Sequence, residues 1–116
     1  MSELAHDGAE LIPRPELTPA ALRAALSVVA PGRLAEMIDG QSQAMAEAIT
    51  TGSVQPIRSF VTHWAAIVEI ERVPATAQAY HRANYLANHA ETLAECRKNA
   101  VAVAELYRKA FAAVAE

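Results

Sequence analysis

The chain is poor both in residues that punctuate a fold and in residues that react. Of its 116 residues one is cysteine, four are glycine and six are proline, with no glycine after Gly52 and no proline after Pro74. A single cysteine, Cys96, excludes an internal disulfide and agrees with a reducing cytoplasm. Two Phe, one Trp and three Tyr are the only large aromatic anchors. No apolar run approaches the ~18 residues of a membrane span. No basic segment followed by an apolar core opens the chain, so a secretory signal is not expected either. Lysine and arginine never form a run: ten basic residues are spread along a chain of net charge −3. That distribution argues against nucleic acid as the main partner.

What is abundant is alanine, 27 residues, which inflates a hydrophobic fraction of 53% while burying little area per side chain. Tight small-residue helix packing with modest stability is the expectation. Arginine outnumbers lysine eight to two, as a GC-rich bacterial coding bias would produce.

No alternating segment suggests a strand, and the reading is all-α: a small bundle of about four helices ending in a long C-terminal helix. Residues 1–16, with Gly8, Pro13, Pro15 and four acids, read as a flexible tail ahead of one helical domain over 17–116. Thr18-Pro19 offers an N-cap and a first-turn proline, and Pro31-Gly32 a stop, giving a helix over about 19–30. A second helix over 33–51 carries Leu34, Met37, Ile38, Met45 and Ile49 at helical spacing and ends at Gly52. Gly40 lies inside it, where it costs ~1 kcal/mol relative to alanine, and marks either a close approach or a kink. The third helix, 56–72, holds Ile57, Phe60, Val61, Trp64, Ile67, Val68 and Ile70 on more than one stripe, which makes it the central helix. Pro74 ends it.

The remaining residues, 75–115, contain no breaker and are expected to form one helix, with Thr76 as its cap; a bend at Asn88-His89 or Lys98-Asn99 that folds the end back on the body is the alternative. Leu86, Leu93, Ala100, Tyr107 and Val114 recur every seventh position, flanked by Ala83, Ala90, Ala104 and Phe111 in an a/d-like seam. An unbroken helix would span roughly 60 Å, more than this chain needs to close its own core, and another chain would cover the surplus.

Reactive constellations are sparse. His81 and His89 are eight residues apart, ~12 Å along a helix, and cannot share a metal ion whose nitrogen ligands lie about 2 Å away. His89 and Cys96 fail for the same reason. No Gly-rich phosphate loop, Gly-x-Ser-x-Gly or Walker-type lysine is present. Neither metal, cofactor nor catalytic residue is therefore expected, and the chain is not read as an enzyme. His81, Asn84, Tyr85, Asn88, His89 and Thr92 form an uncharged polar and aromatic stripe suited to protein recognition. With the seam, this defines a candidate interface of His81, Tyr85, Asn88, His89, Leu93, Tyr107 and Phe111. A pocket between helices lined by Phe60, Trp64 and Tyr80 is a third possibility.

The run Leu17-Thr-Pro-Ala-Ala-Leu-Arg-Ala-Ala-Leu26, then Val29-Ala-Pro-Gly-Arg-Leu34, together with Pro56-Ile-Arg-Ser-Phe60, Trp64 and Val68-Glu-Ile-Glu-Arg72, resembles a group of short actinobacterial proteins often encoded beside RelE/ParE-type toxins. The resemblance covers about residues 17–75 and brings no catalytic residues. It implies an antitoxin-like or accessory protein that binds a small basic partner, to which an acidic chain would be attracted. No DNA-binding module accompanies it. The alternative is a homodimeric helical module paired through the seam.

Overall fold

In the computed structural model, residues 9–115 are described, and within them every regular element is helical. The first half of the expected tail, residues 1–8, lies outside the described residues. Helix α1 (Pro19–Val29) is capped by the Thr18 hydroxyl, which accepts from the Ala21 N–H at 3.1 Å, with Pro19 in the first turn. A 3-10 turn (Pro31–Arg33) leads into α2 (Leu34–Thr51). Gly52 closes α2 in the left-handed region, at φ 72°, where a side chain would be strained. Helix α3 (Gln55–Glu71) follows, with Pro56 in its first turn and the Ser53 hydroxyl accepting from the Gln55 N–H.

The core is built around α3, which packs against α1, α2, α4 (Pro74–Asn88) and α5 (Leu93–Val114). From Trp64 to Glu71 all its residues but Glu69 are buried, as the multi-stripe pattern predicts. Leu22 and Leu26 of α1, Met37 of α2, and Ala110 and Val114 of α5 close around them. Each large aliphatic removed from water here contributes on the order of 2 kcal/mol.

The expected continuous C-terminal helix is two helices. Residues 74–88 and 93–114 form a helical hairpin, α4 against α5. His89 leaves helical geometry (φ −114°, ψ 15°), and its ring Nδ1 lies 2.9 Å from the Tyr85 carbonyl oxygen that its own N–H also meets. Thr92 then restarts the chain: it is extended, and its hydroxyl accepts from the Glu95 N–H at 3.1 Å. Glu95 in return reaches the Glu91 N–H at 3.4 Å. Side-chain caps thus do the work a glycine or proline would otherwise do. The bundle has five α-helices instead of four, and the surplus length is covered by the chain itself. Nor does Thr76 cap a helix: α4 already begins at Pro74, and the Thr76 hydroxyl donates back to Ile70 and Val73 carbonyl oxygens near the end of α3.

Residues 9–16 also depart from a flexible tail. The Leu11 N–H donates to the Arg72 carbonyl oxygen at 2.7 Å, and Ile12 packs against the core. Arg14 makes a bidentate pair with Glu69, both contacts 2.9 Å. Arg72, buried at the end of α3, joins Glu69 at 2.8 Å and Glu10 at 2.8 Å and donates to the Ile12 carbonyl oxygen. Burial of an arginine requires such partners, and the N-terminal segment supplies them. Burial alone would raise the Glu69 carboxyl, but the hydrogen bonds from Arg14 and Arg72 outweigh it and hold Glu69 below the usual carboxylate range.

Candidate functional site: a groove across the central helix

Whereas the second half of α3 is enclosed, its first half forms the floor of an open groove with α2 on one side and α5 on the other. The wider part, about 600 Å3, lies between α2 and α3 over Gly40, Ala44, Phe60 and Trp64. A second part of about 360 Å3 continues past Arg58 and Thr62 to Tyr107 and Phe111 on α5. Gln55, Ser59 and His63, one row of α3, border both parts.

His63 sits where the parts meet. Its Nδ1 lies 2.7 Å from the Tyr107 hydroxyl, and its ring stands edge-on to Trp64, centroids 5.2 Å apart. Burial lowers the affinity of this imidazole for a proton, and the positive charge of Arg33 adds to the effect against a smaller opposing pull from Glu36. Burial, with Tyr80 nearby, likewise raises the Tyr107 phenol. Both groups are therefore held neutral at pH 7, and the bond between them joins α3 to α5 without charge. Ser59 lies one helical turn before His63, but the only hydrogen bond of the imidazole among the described residues is with the Tyr107 hydroxyl. The orienting carboxylate of a nucleophilic triad is not supplied.

Trp64 is held from several directions. The Arg33 guanidinium lies over its ring at 5.1 Å, a cation–π contact, while Arg33 also pairs with Glu36. Gly40 resolves its own alternatives here: α2 is not broken, and a Cβ at Gly40 would lie 3.6 Å from the Phe60 ring and 3.8 Å from the Trp64 indole nitrogen. It is a point of close approach. Helix α2 carries Glu36, Asp39 and Glu47 and no basic residue, so the wall with Glu47 at the groove edge is acidic.

The expected interface residues do not come together as one surface. His81, Tyr85, Asn88 and His89 lie exposed on α4, with Tyr85 stacked on His89 at a centroid distance of 4.0 Å. His81 turns to the end of α3, its Nε2 2.8 Å from the buried Glu71 carboxylate. Leu93 begins α5 and is 65% exposed. Tyr107 and Phe111, one turn apart, instead form the α5 wall of the groove, 5.9 Å between centroids. The turn at 89–92 divides the seam, leaving Ala83 and Leu86 on α4, Ala90 in the turn and the rest on α5. Of the expected pocket, Phe60 and Trp64 line the groove, but Tyr80 packs against the core elsewhere.

Sequence reasoning missed His63, Gly40 and Ser59 as site residues. Tyr107 is 44 positions from His63, and no local pattern announces their contact. Among the described residues no three His, Cys, Asp or Glu side chains are grouped as a metal ion would require, and no helix is long and apolar enough to cross a membrane. No protein-family model, curated protein or solved structure matches the chain.

Proposed function

We propose that this chain is a non-enzymatic protein-interaction module, antitoxin-like or accessory to a RelE/ParE-type toxin, that takes an amphipathic segment of a small basic partner in the groove between α2 and α5. The observation that carries the reading is the groove itself: an open apolar path with Phe60 and Trp64 in its floor, bounded by Tyr107 and Phe111. An amphipathic helix laid in such a path anchors through residues spaced along one face. Aromatic residues that are rigid and partly wet are the usual energetic centres of such contacts. Glu47 on the α2 wall favours a basic group at that edge. The resemblance over residues 17–75 supplies the toxin as the partner to try first, in the cytoplasm.

A second reading has its own observation. Leu93, Val101 and Phe111 are 65%, 57% and 40% exposed on α5, which suits pairing with a second copy of the chain.

Light scattering coupled to size exclusion tests both, using the purified chain alone and mixed with a purified RelE-type toxin. The groove reading expects a complex with the toxin that Ser59→Trp abolishes and Leu93→Asp leaves intact. The reverse pattern, or a dimer of the chain alone that Leu93→Asp dissociates, would move the interface to the α5 ridge.

A further inference from the structure

Trp64 is 96% buried as a residue and lines the groove, and its indole N–H makes no hydrogen bond among the described residues. Buried indole N–H groups normally have an acceptor, because leaving one unmet carries the full cost of its desolvation. The other sides of the ring are taken, one face by Arg33 and an edge by His63. The nitrogen itself lies toward Gly40, 3.8 Å from the place a Cβ would occupy. The same place is 3.6 Å from the Phe60 ring edge. Gly40 thus leaves a notch in α2 about one atom wide, opening from the groove onto the N–H, with an apolar wall beside it.

We propose that the Trp64 N–H, reached through the notch at Gly40, is the acceptor-reading point of the groove and takes an amide carbonyl oxygen of the bound polypeptide segment. The inference rests on the groove reading of the preceding subsection. An amide oxygen fits better than a carboxylate. Glu47 on the same edge repels an anion, and Phe60 and Ala44 offer an apolar surface to whatever carries the oxygen. A one-atom notch admits a protruding carbonyl and excludes a branched group. The glycine is then the feature that gives the segment access, at the cost of helix propensity in the middle of α2.

The chain has a single tryptophan, so its one indole 15N–1H resonance reports the site directly. The probe is N-acetyl-phenylalaninamide, an aromatic ring with amide carbonyls, and the control is 2-phenylethylammonium, a similar ring without a carbonyl. The expected result is a saturable downfield shift with the amide and none with the ammonium compound. Gly40→Leu, which fills the notch, should weaken the amide at least about tenfold, a loss of ~1.4 kcal/mol. Gly40→Ala guards against a folding failure: it should raise the melting temperature, as alanine in a helix does, while still weakening the amide. No shift with the amide, equal shifts with both compounds, or undiminished binding by Gly40→Ala would each overturn the proposal. If the toxin complex forms while the indole resonance stays in place, the anchor is wrong and the groove reading survives. If no toxin complex forms, the groove reading falls and the amide titration still decides the anchor.

Discussion

The second half of α3 and the first half of α5 are both regular helix, and they are held by different forces. Between Trp64 and Glu71 every residue but Glu69 is buried; between Leu93 and Glu105 none is, and only Cys96, Asn99 and Val103 are half-buried. The α3 stretch is fixed by burial from four neighbouring helices. The α5 stretch is fixed by strong helix formers, the Thr92 cap and contact with α4. Helix formation in the first is a consequence of packing, and in the second it is largely local. The difference also explains where apolar surface remains available: along α5, where Leu93, Val101 and Phe111 stay exposed.

The largest expected effect is at the enclosed end. Trp64→Ala should cost about 3–5 kcal/mol in urea unfolding, while Leu93→Ala should cost under ~0.5 kcal/mol. Similar losses would mean that α5 is as deeply fixed as α3. Next comes the latch that closes the end of α3. Arg72→Ala removes the cation that Glu69 and Glu10 share while Arg14 stays on Glu69, and should cost about 1–2 kcal/mol. Deleting residues 1–16 should lower the melting temperature by several degrees or more, since ~1 kcal/mol corresponds to about 4–8 °C in a small domain. An unchanged melting temperature would show that Leu11, Ile12 and Arg14 contribute nothing to stability.

Thr92→Ala tests the local character of α5. It should cost about 1 kcal/mol, and hydrogen exchange should quicken in the first turns of α5 without change in α3. The smallest effect is expected from pH. The fold favours neutral His63, so the unfolded chain binds the proton more readily. That contribution is fully present above about pH 6.5 and is lost as pH falls through the lower folded value. Glu69 acts further down: its depressed carboxyl stabilises the fold above about pH 4.3, and the contribution is lost on further acidification. A denaturation series from pH 7.5 to 5.5 should show a decline that His63→Gln removes. An unchanged decline in that variant would assign it to other groups.

The helical class, the ends of α1, α2 and α3 and the central position of α3 were legible because their signals are local. Thr18-Pro19, Gly52 and Pro74 act through backbone geometry within a turn, and the spread of apolar residues in α3 requires neighbours on several sides. The break at 89–92 was legible too, in Thr92-Leu-Ala-Glu95, where a hydroxyl stands three positions before a glutamate as in a capping box. The expectation of one long helix rested on the absence of glycine and proline and took no account of that signal. The docking of Glu10, Leu11, Ile12 and Arg14 had no comparable signal, because its partners lie about sixty positions away.

The amino-acid sequence alone therefore determined that this protein is helical, where three of its helices end, and that α3 must be enclosed. Those properties follow from propensity, caps and periodicity over a few residues. Only the tertiary structure decided that the C-terminal residues fold back as a hairpin, that Arg72 gathers the N-terminal segment, and that Gly40, Phe60, His63, Trp64 and Tyr107 share one groove. Each of those depends on which distant faces meet, and that is settled by how the whole set of apolar surfaces is covered at once.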